Sequence, residues 1–185
     1  AFKLVCALED EKDIEQLLMD YSDFVAIGTI ADVMPVVGEN RLLIRRGLEA
    51  LNRKSRPGLL RLMCHLGIER RNINTSLIGF ALTPRLNAAG RMGRTSLTVD
   101  LLLTEDDCEA EQLTTELCRL NGERRELESG IYEQVYAYLM KKLPKGPIVL
   151  AGHGWFQGVM GIVAARTAEQ FLFPAIMITL DDDGV

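Results

Sequence analysis

The sequence is short of the residues that build metal cages and disulfide frameworks. Its 185 residues include two histidines and four cysteines, and Cys6, Cys64, Cys108 and Cys118 are scattered with no Cys-x-x-Cys pair. This spacing argues against a zinc ribbon or finger and predicts reduced, mostly packing thiols, as in a cytoplasmic protein. No apolar run is long enough to cross a bilayer and no signal-peptide pattern is visible, so no membrane partner is expected. A Gly-x-Gly-x-x-Gly fingerprint and a Walker lysine are both missing, which leaves a nucleotide-binding fold weakly supported.

What is present belongs to a globular protein. Hydrophobic residues make up 48% and charged residues 25%, enough to fill a core in one domain or two small ones. The net charge of −5 conceals a pattern. Residues 1–37 carry two basic and eight acidic side chains, residues 38–94 twelve basic and three acidic, and residues 95–185 seven basic and fifteen acidic. A basic middle in an acidic chain is a focused field that suggests a polyanionic partner. The alternative is that these arginines pair with the acidic flanks inside the fold.

Near the end of the basic segment lies Pro84-Arg85-Leu86-Asn87-Ala88-Ala89-Gly90-Arg91-Met92. No amphipathic period fits it, and Pro84 disfavours helix at Thr83, so the stretch reads as a loop. Small residues leave its backbone uncovered, and arginine offers a planar fork of donors matched to phosphate or carboxylate. The stretch is therefore expected to bind an anion. A solvated loop with arginines paired to nearby carboxylates is the competing reading.

Residues 1–8 and 11–20 read as helices, with Glu11, Asp13 and Glu15 early in the second, where the helix dipole favours them. Phe24-Val25-Ala26-Ile27 before Gly28 reads as a buried strand of an α/β sheet. Asp32 would then stand near the carboxyl end of that strand, where open α/β sheets place ligands, and a carboxylate there suits a hard divalent metal. A helix cap or turn is the ordinary alternative for an isolated Asp. Helices are expected over 40–53 with a cationic face, over Pro57 to Leu66, from Asn74 or Thr75 to Leu82, and from Ser96 to Leu103. His65 falls within the second of these and reads as a packed or surface histidine.

Over 105–142, Leu113, Leu117, Leu120, Leu127, Ile131 and Val135 recur at three and four, with Arg124 in an intervening position on the stripe. One long helix is expected there, although Gly122 and Gly130 each weaken it by about 1 kcal/mol relative to Ala. Ile148 to Ala151 and Ala175 to Leu180 read as parallel strands around a helix from Gly158 to Phe171. The turn at Gly152-His153-Gly154-Trp155 could hold a phosphate at that helix's N-terminus, and His153 and Trp155 could stack on or hydrogen-bond to a base. Packing between elements is the plainer role for both. Asp181-Asp182-Asp183-Gly184-Val185 is a turn signal, and the absence of an initiator Met at Ala1 suggests a piece of a larger protein.

Several of these segments occur in a known order. Val25 through Pro35 with Asp32, then Glu39-Asn40-Arg41, then Pro84 to Met92, then Gly154 to Arg166 resemble the RecJ family. These are bacterial single-stranded-DNA-specific 5′→3′ exonucleases of the DHH phosphoesterase superfamily. The resemblance runs over essentially the whole chain, and it is the ordered combination that is specific. It implies an α/β fold with the C-terminal part of a DHH catalytic lobe over 1–104, a long connecting helix over 105–144, and the beginning of a βαβ DHH-associated lobe over 145–185.

By the same resemblance, Asp32 is a catalytic metal ligand, and Arg85, Asn87, Gly90 and Arg91 bind DNA phosphate. His153, Trp155, Gln157 and Gly158 are second-lobe contacts. The cofactor would be two Mn²⁺ or Mg²⁺ ions driving phosphodiester hydrolysis in DNA repair and recombination. The Asp-His-His triplet and the earlier aspartate motifs are absent and would precede Ala1. The family's glycine-rich histidine motif would follow Val185, and its Trp-His pairing is Trp155-Phe156 here. Single-stranded DNA is the implied partner, with a single-strand-binding protein or a helicase as protein partners. Three other classes stay open. They are a non-catalytic nucleic-acid-binding module, a related DHH phosphoesterase acting on small nucleotides or short oligonucleotides, and a helical interaction protein built on 105–142.

Overall fold

Apolar positions recurring at three and four become helix along most of the chain. The structure is a computed structural model that describes residues 1–9, 13–53 and 56–180. Its helices are α1 (Phe2–Leu8), α2 (Ile14–Ala31), α3 (Gly38–Arg53), α4 (Pro57–His65), α5 (Thr75–Leu77), α6 (Thr83–Arg91), α7 (Thr95–Leu103), α8 (Asp107–Lys141) and α9 (Gln157–Phe171), with a π-turn, Ile78–Leu82, between α5 and α6. Strands β1 (Ile148–His153) and β2 (Ala175–Leu180) flank α9. The chain divides into two units, Ala1–Asn87 with Ser96–Leu117, and Ala88–Thr95 with Cys118–Val185.

In the first unit, α2 and α3 pack through glycine. A Cβ on Gly47 would stand 2.1 Å from the Ser22 carbonyl oxygen, so only glycine lets the two backbones come this close. Gly58 at the start of α4 does the same against Leu101 of α7, at 1.7 Å from its carbonyl oxygen. Ala26, Ile44, Leu51, Leu62, Met63, Ile78, Leu82 and Leu101 fill the core between these helices. Buried Asp23 of α2 is held by the Arg56 guanidinium, which also lies 4.0 Å over the Phe24 ring.

The strand expected at Phe24–Ile27 is instead the middle of α2. A four-residue apolar run does not distinguish a buried strand from a buried turn of helix, and here Asp23, Ala26 and Ile27 recur at helical spacing on the buried face. Within the described residues α2 starts at Ile14; residues 10–12, where the helix start is expected, and the turn signal at 181–185 lie outside the described residues. Among the cysteines, all free, Cys6 and Cys118 are half-buried, but Cys64 and Cys108 are exposed and do not pack.

The second unit is a β-α-β unit against the C-terminal part of α8. β1 and β2 are parallel, in register from Ile148 opposite Ala175 to His153 opposite Leu180. Val159, Met160 and Val163 of α9 pack on Ile148 and on Ile131, Val135 and Leu139 of α8; Ile131 and Val135 belong to the stripe read from the sequence, Leu139 continues it, and Leu127 is exposed. The α/β reading stands, with its sheet confined, among the described residues, to these two strands. Gly122 and Gly130 do not interrupt α8, which runs unbroken for 35 residues.

Candidate functional site

The stretch expected to be a loop, Pro84 to Met92, is helical from Pro84 to Arg91, within α6, and Met92 begins the turn after it. Two local features let it be helical. Asn74 caps the run at its start, its Oδ1 accepting from Leu77 N–H at 2.9 Å. Ahead of Pro84 the chain widens into the π-turn, where Thr83 N–H bonds to the Ile78 carbonyl. Pro84 then falls in the first turn of α6, where its missing N–H costs little. π-turns inside helices are frequent at functional sites.

Helical geometry sorts the four candidate residues. Asn87, Gly90 and Arg91 stand three and four apart, and all three are exposed. Leu86, Ala88 and Ala89 are buried between them. Arg85 is off this face. It is half-buried, and its Nη1 donates to the Ala81 carbonyl at 3.0 Å, satisfying an oxygen at the exit of the π-turn. Arg91 is in the last turn of α6, and its Nη1 stands 3.5 Å from the Gly158 carbonyl, long for a hydrogen bond.

Gly158 and Arg91 are neighbours in the second unit. A Cβ on Gly158 would stand 2.0 Å from the Arg91 carbonyl oxygen and 3.0 Å from its carbon. Position 158 therefore works by admitting the backbone of Arg91. Gln157, exposed, opens α9 beside it. Gly152 and His153, expected in the turn, instead end β1; Gly154 after them takes φ +68°, and a Cβ on Gly152 would strike the Trp155 indole at 2.2 Å. The Trp155 Nε1–H donates to Gln134 Oε1 at 3.3 Å, and His153 is exposed.

Asp32 is exposed and is the C-cap residue of α2, so the strand-end placement is overturned, because the run before it is helix. Val33 after it adopts φ +52°, a left-handed conformation that costs a β-branched residue energy and recurs at functional sites. Within the first unit the last turn of α2 meets the π-turn, a Cβ on Gly79 standing 3.7 Å from Ile30 Cγ2. Among the described residues, no group of three or more His, Cys, Asp or Glu side chains gathers as a metal would require. Asp32 supplies a single carboxylate, which does not fit a complete two-metal site.

The proteins this chain is similar to are exonucleases specific for single-stranded DNA. By name they are RecJ: the chain is 41% identical over 184 residues to RecJ of Bacillus subtilis, covering 99% of this chain and 23% of that protein. It is 39% identical over 178 residues to RecJ of Dickeya dadantii, covering 92% and 31%. A crystal structure of RecJ from Thermus thermophilus in complex with Mn²⁺ superimposes with a TM-score of 0.79 at 37% identity, covering 87% of this chain and 24% of that one. A second, of that protein with Mg²⁺, gives 0.75. No protein-family model matches. The chain spans about a quarter to a third of the length of the curated relatives it matches, and over that span it is RecJ-like in sequence and in fold.

Two arrangements were not anticipated. One is the closeness of Gly158 to Arg91, which links residues far apart in sequence and leaves no local signal. The other is a charge network around Arg124, whose Nη1 donates to Glu128 at 2.7 Å and Nη2 to Asn121 at 3.3 Å. The Arg166 guanidinium stands 3.9 Å from Glu128 and 3.8 Å over the Tyr132 ring. An arginine on an apolar stripe with a glutamate four residues on was the available signal.

Proposed function

We propose that this chain is a segment of a metal-dependent exonuclease that hydrolyses single-stranded DNA from the 5′ end, acting in DNA repair and recombination in the cytoplasm. The observation that carries the reading is the exposed Asn87–Gly90–Arg91 face of α6, in a basic segment of a chain RecJ-like along its length. Arg91 presents a fork engaged only by a long Nη1 contact to the Gly158 carbonyl, Gly90 leaves room for a phosphate to approach, and Asn87 adds an amide. Arg85 uses one N–H on Ala81 and retains others for a second phosphate. Asp32 contributes one ligand to a site for Mn²⁺ or Mg²⁺ that other parts of the protein complete. In this reading residues 1–104 belong to a DHH lobe, 105–144 connect, and 145–185 begin the DHH-associated lobe. A single-strand-binding protein or a helicase would deliver the strand.

The test is binding of 5′-phosphate and 5′-hydroxyl oligonucleotides across a salt series, wild type against Arg85→Ala and Arg91→Ala. Weaker binding and reduced end preference in the variants are expected; wild-type behaviour in both would make Arg85 and Arg91 structural residues only. The chain by itself should not degrade single-stranded DNA with Mn²⁺ added. Turnover by a clean preparation, abolished by Asp32→Ala, would refute that.

A further inference from the structure

The second unit contains an open cavity of about 520 Å³ beside His153 and Trp155, the two residues whose types suit stacking on or bonding to a base. Its lining includes Met92, Glu126, Gly130, Gln134, His153 and Trp155. The volume is that of small-molecule sites. Trp155 is the sole tryptophan of the chain. Its indole is fixed from two directions: Gly152, where a Cβ would come within 2.2 Å, seats the ring, and Gln134 Oε1 accepts its N–H at 3.3 Å. An aromatic surface held this way needs no reordering when a ligand arrives.

The polar groups narrow the ligand. With its oxygen on the indole, Gln134 keeps two amide N–H donors, while Glu126 offers carboxylate acceptors. Carboxylates on the wall oppose an anion, so phosphate is the wrong occupant. A flat neutral heterocycle with acceptors and amino donors on its edge is the right one. Gly130 has no atom within 4 Å of where a Cβ would be, which leaves space at the wall. Met92 follows Arg91 directly in the chain. We propose that this cavity holds one unstacked nucleobase, stacked on Trp155 and bonded at its edge by Gln134 and Glu126, while the adjoining phosphate lies on Arg91. The proposal rests on the nucleic-acid reading above and extends it from phosphate to base.

The single indole N–H gives one NMR signal that reports only this place. Titration with deoxyadenosine, which carries no phosphate, should shift it and saturate. Gly130→Leu enters open space and so should fold; it should weaken that response about tenfold or more, the size of one lost stacking contact. Arg91→Ala should leave the nucleoside response intact while weakening oligonucleotide binding. An indole signal that ignores the nucleoside, or responds equally in Gly130→Leu, overturns the base site whatever oligonucleotides do. A normal nucleoside response with undiminished oligonucleotide binding in Arg91→Ala keeps the base site and removes the phosphate assignment instead.

Discussion

Arg91 and Arg124 lie in the same unit in opposite circumstances. Arg124 sits on the apolar stripe of α8 with its side chain 11% exposed, two nitrogens bonded to Glu128 and Asn121 and its Nε buried without a partner. Arg91 ends α6 in solvent with one long contact to Gly158. The same guanidinium is a fixture of the fold in one place and a set of available donors in the other. Charge counts along the sequence do not separate the two; the number of donors already occupied does. Arg85 falls between them, with one donor on its own helix.

The largest effect should come from emptying the Arg124 site. Glu128→Ala leaves a buried cation uncompensated and should cost about 3–5 kcal/mol in denaturant unfolding. The double change Arg124→Met with Glu128→Leu should be near neutral or stabilising, since two apolar groups replace a pair that is costly to desolvate. If the single and double variants unfold alike, the pair is not what holds α8 there.

Next comes Gly158→Val, which drives a side chain into the Arg91 carbonyl. Overpacking of this kind costs about 1–3 kcal/mol, and the shift of Arg91 should erase any preference for 5′-phosphorylated ends. Unchanged melting with unchanged end preference would show that the backbone yields without consequence.

Arg91→Ala should lower the salt slope of single-strand binding by about 0.7 while stability stays within about 0.5 kcal/mol of wild type. Arg91→Lys should recover only part of the affinity, because the charge returns without the fork. Arg85→Ala should change both properties, the slope by a similar amount and stability by about 1 kcal/mol through the Ala81 carbonyl. Equal stability in the two alanine variants would dissolve the distinction between them.

The smallest effect belongs to Arg61 and Asp107 on the surface of the first unit, bonded at 2.7 Å. The hydrogen bond from Arg61, with its charge, holds the Asp107 carboxyl below its ordinary value. A lowered carboxylate stabilises above its unfolded pKa and loses that contribution as pH falls through the folded one. Melting of wild type and Asp107→Asn should therefore differ slightly near neutrality and converge below the usual carboxylate range. A difference that persists in acid would mean the pair contributes through something other than charge.

Much of the fold was legible because period and punctuation agreed. The long helix α8, Asn74 as a cap and the parallel strands β1 and β2 stand as read, although Leu127 of the α8 stripe is exposed. The failures share a cause. Phe24–Ile27 and Pro84–Met92 are short, so local pattern was ambiguous, and their surroundings decided for helix: Gly47 admitting α2, and the π-turn accommodating Pro84. At the candidate site, residue types were readable but directions were not. That Arg85 turns back on Ala81 while Arg91 faces water depends on the helical phase of α6, which a loop reading does not contain.

That phase has its own origin. A π-turn holds one residue more than the α-turn it replaces, so everything after Leu82 is rotated relative to Asn74 and Thr75 by one residue's step, about 100°. The outward bearing of Asn87, Gly90 and Arg91 is thus set by a count made upstream, in residues that need touch no ligand. Deleting one residue from Ile78–Leu82 would let the turn close as ordinary α-helix and swing the whole face a quarter-turn or more, with every side chain of α6 still in place.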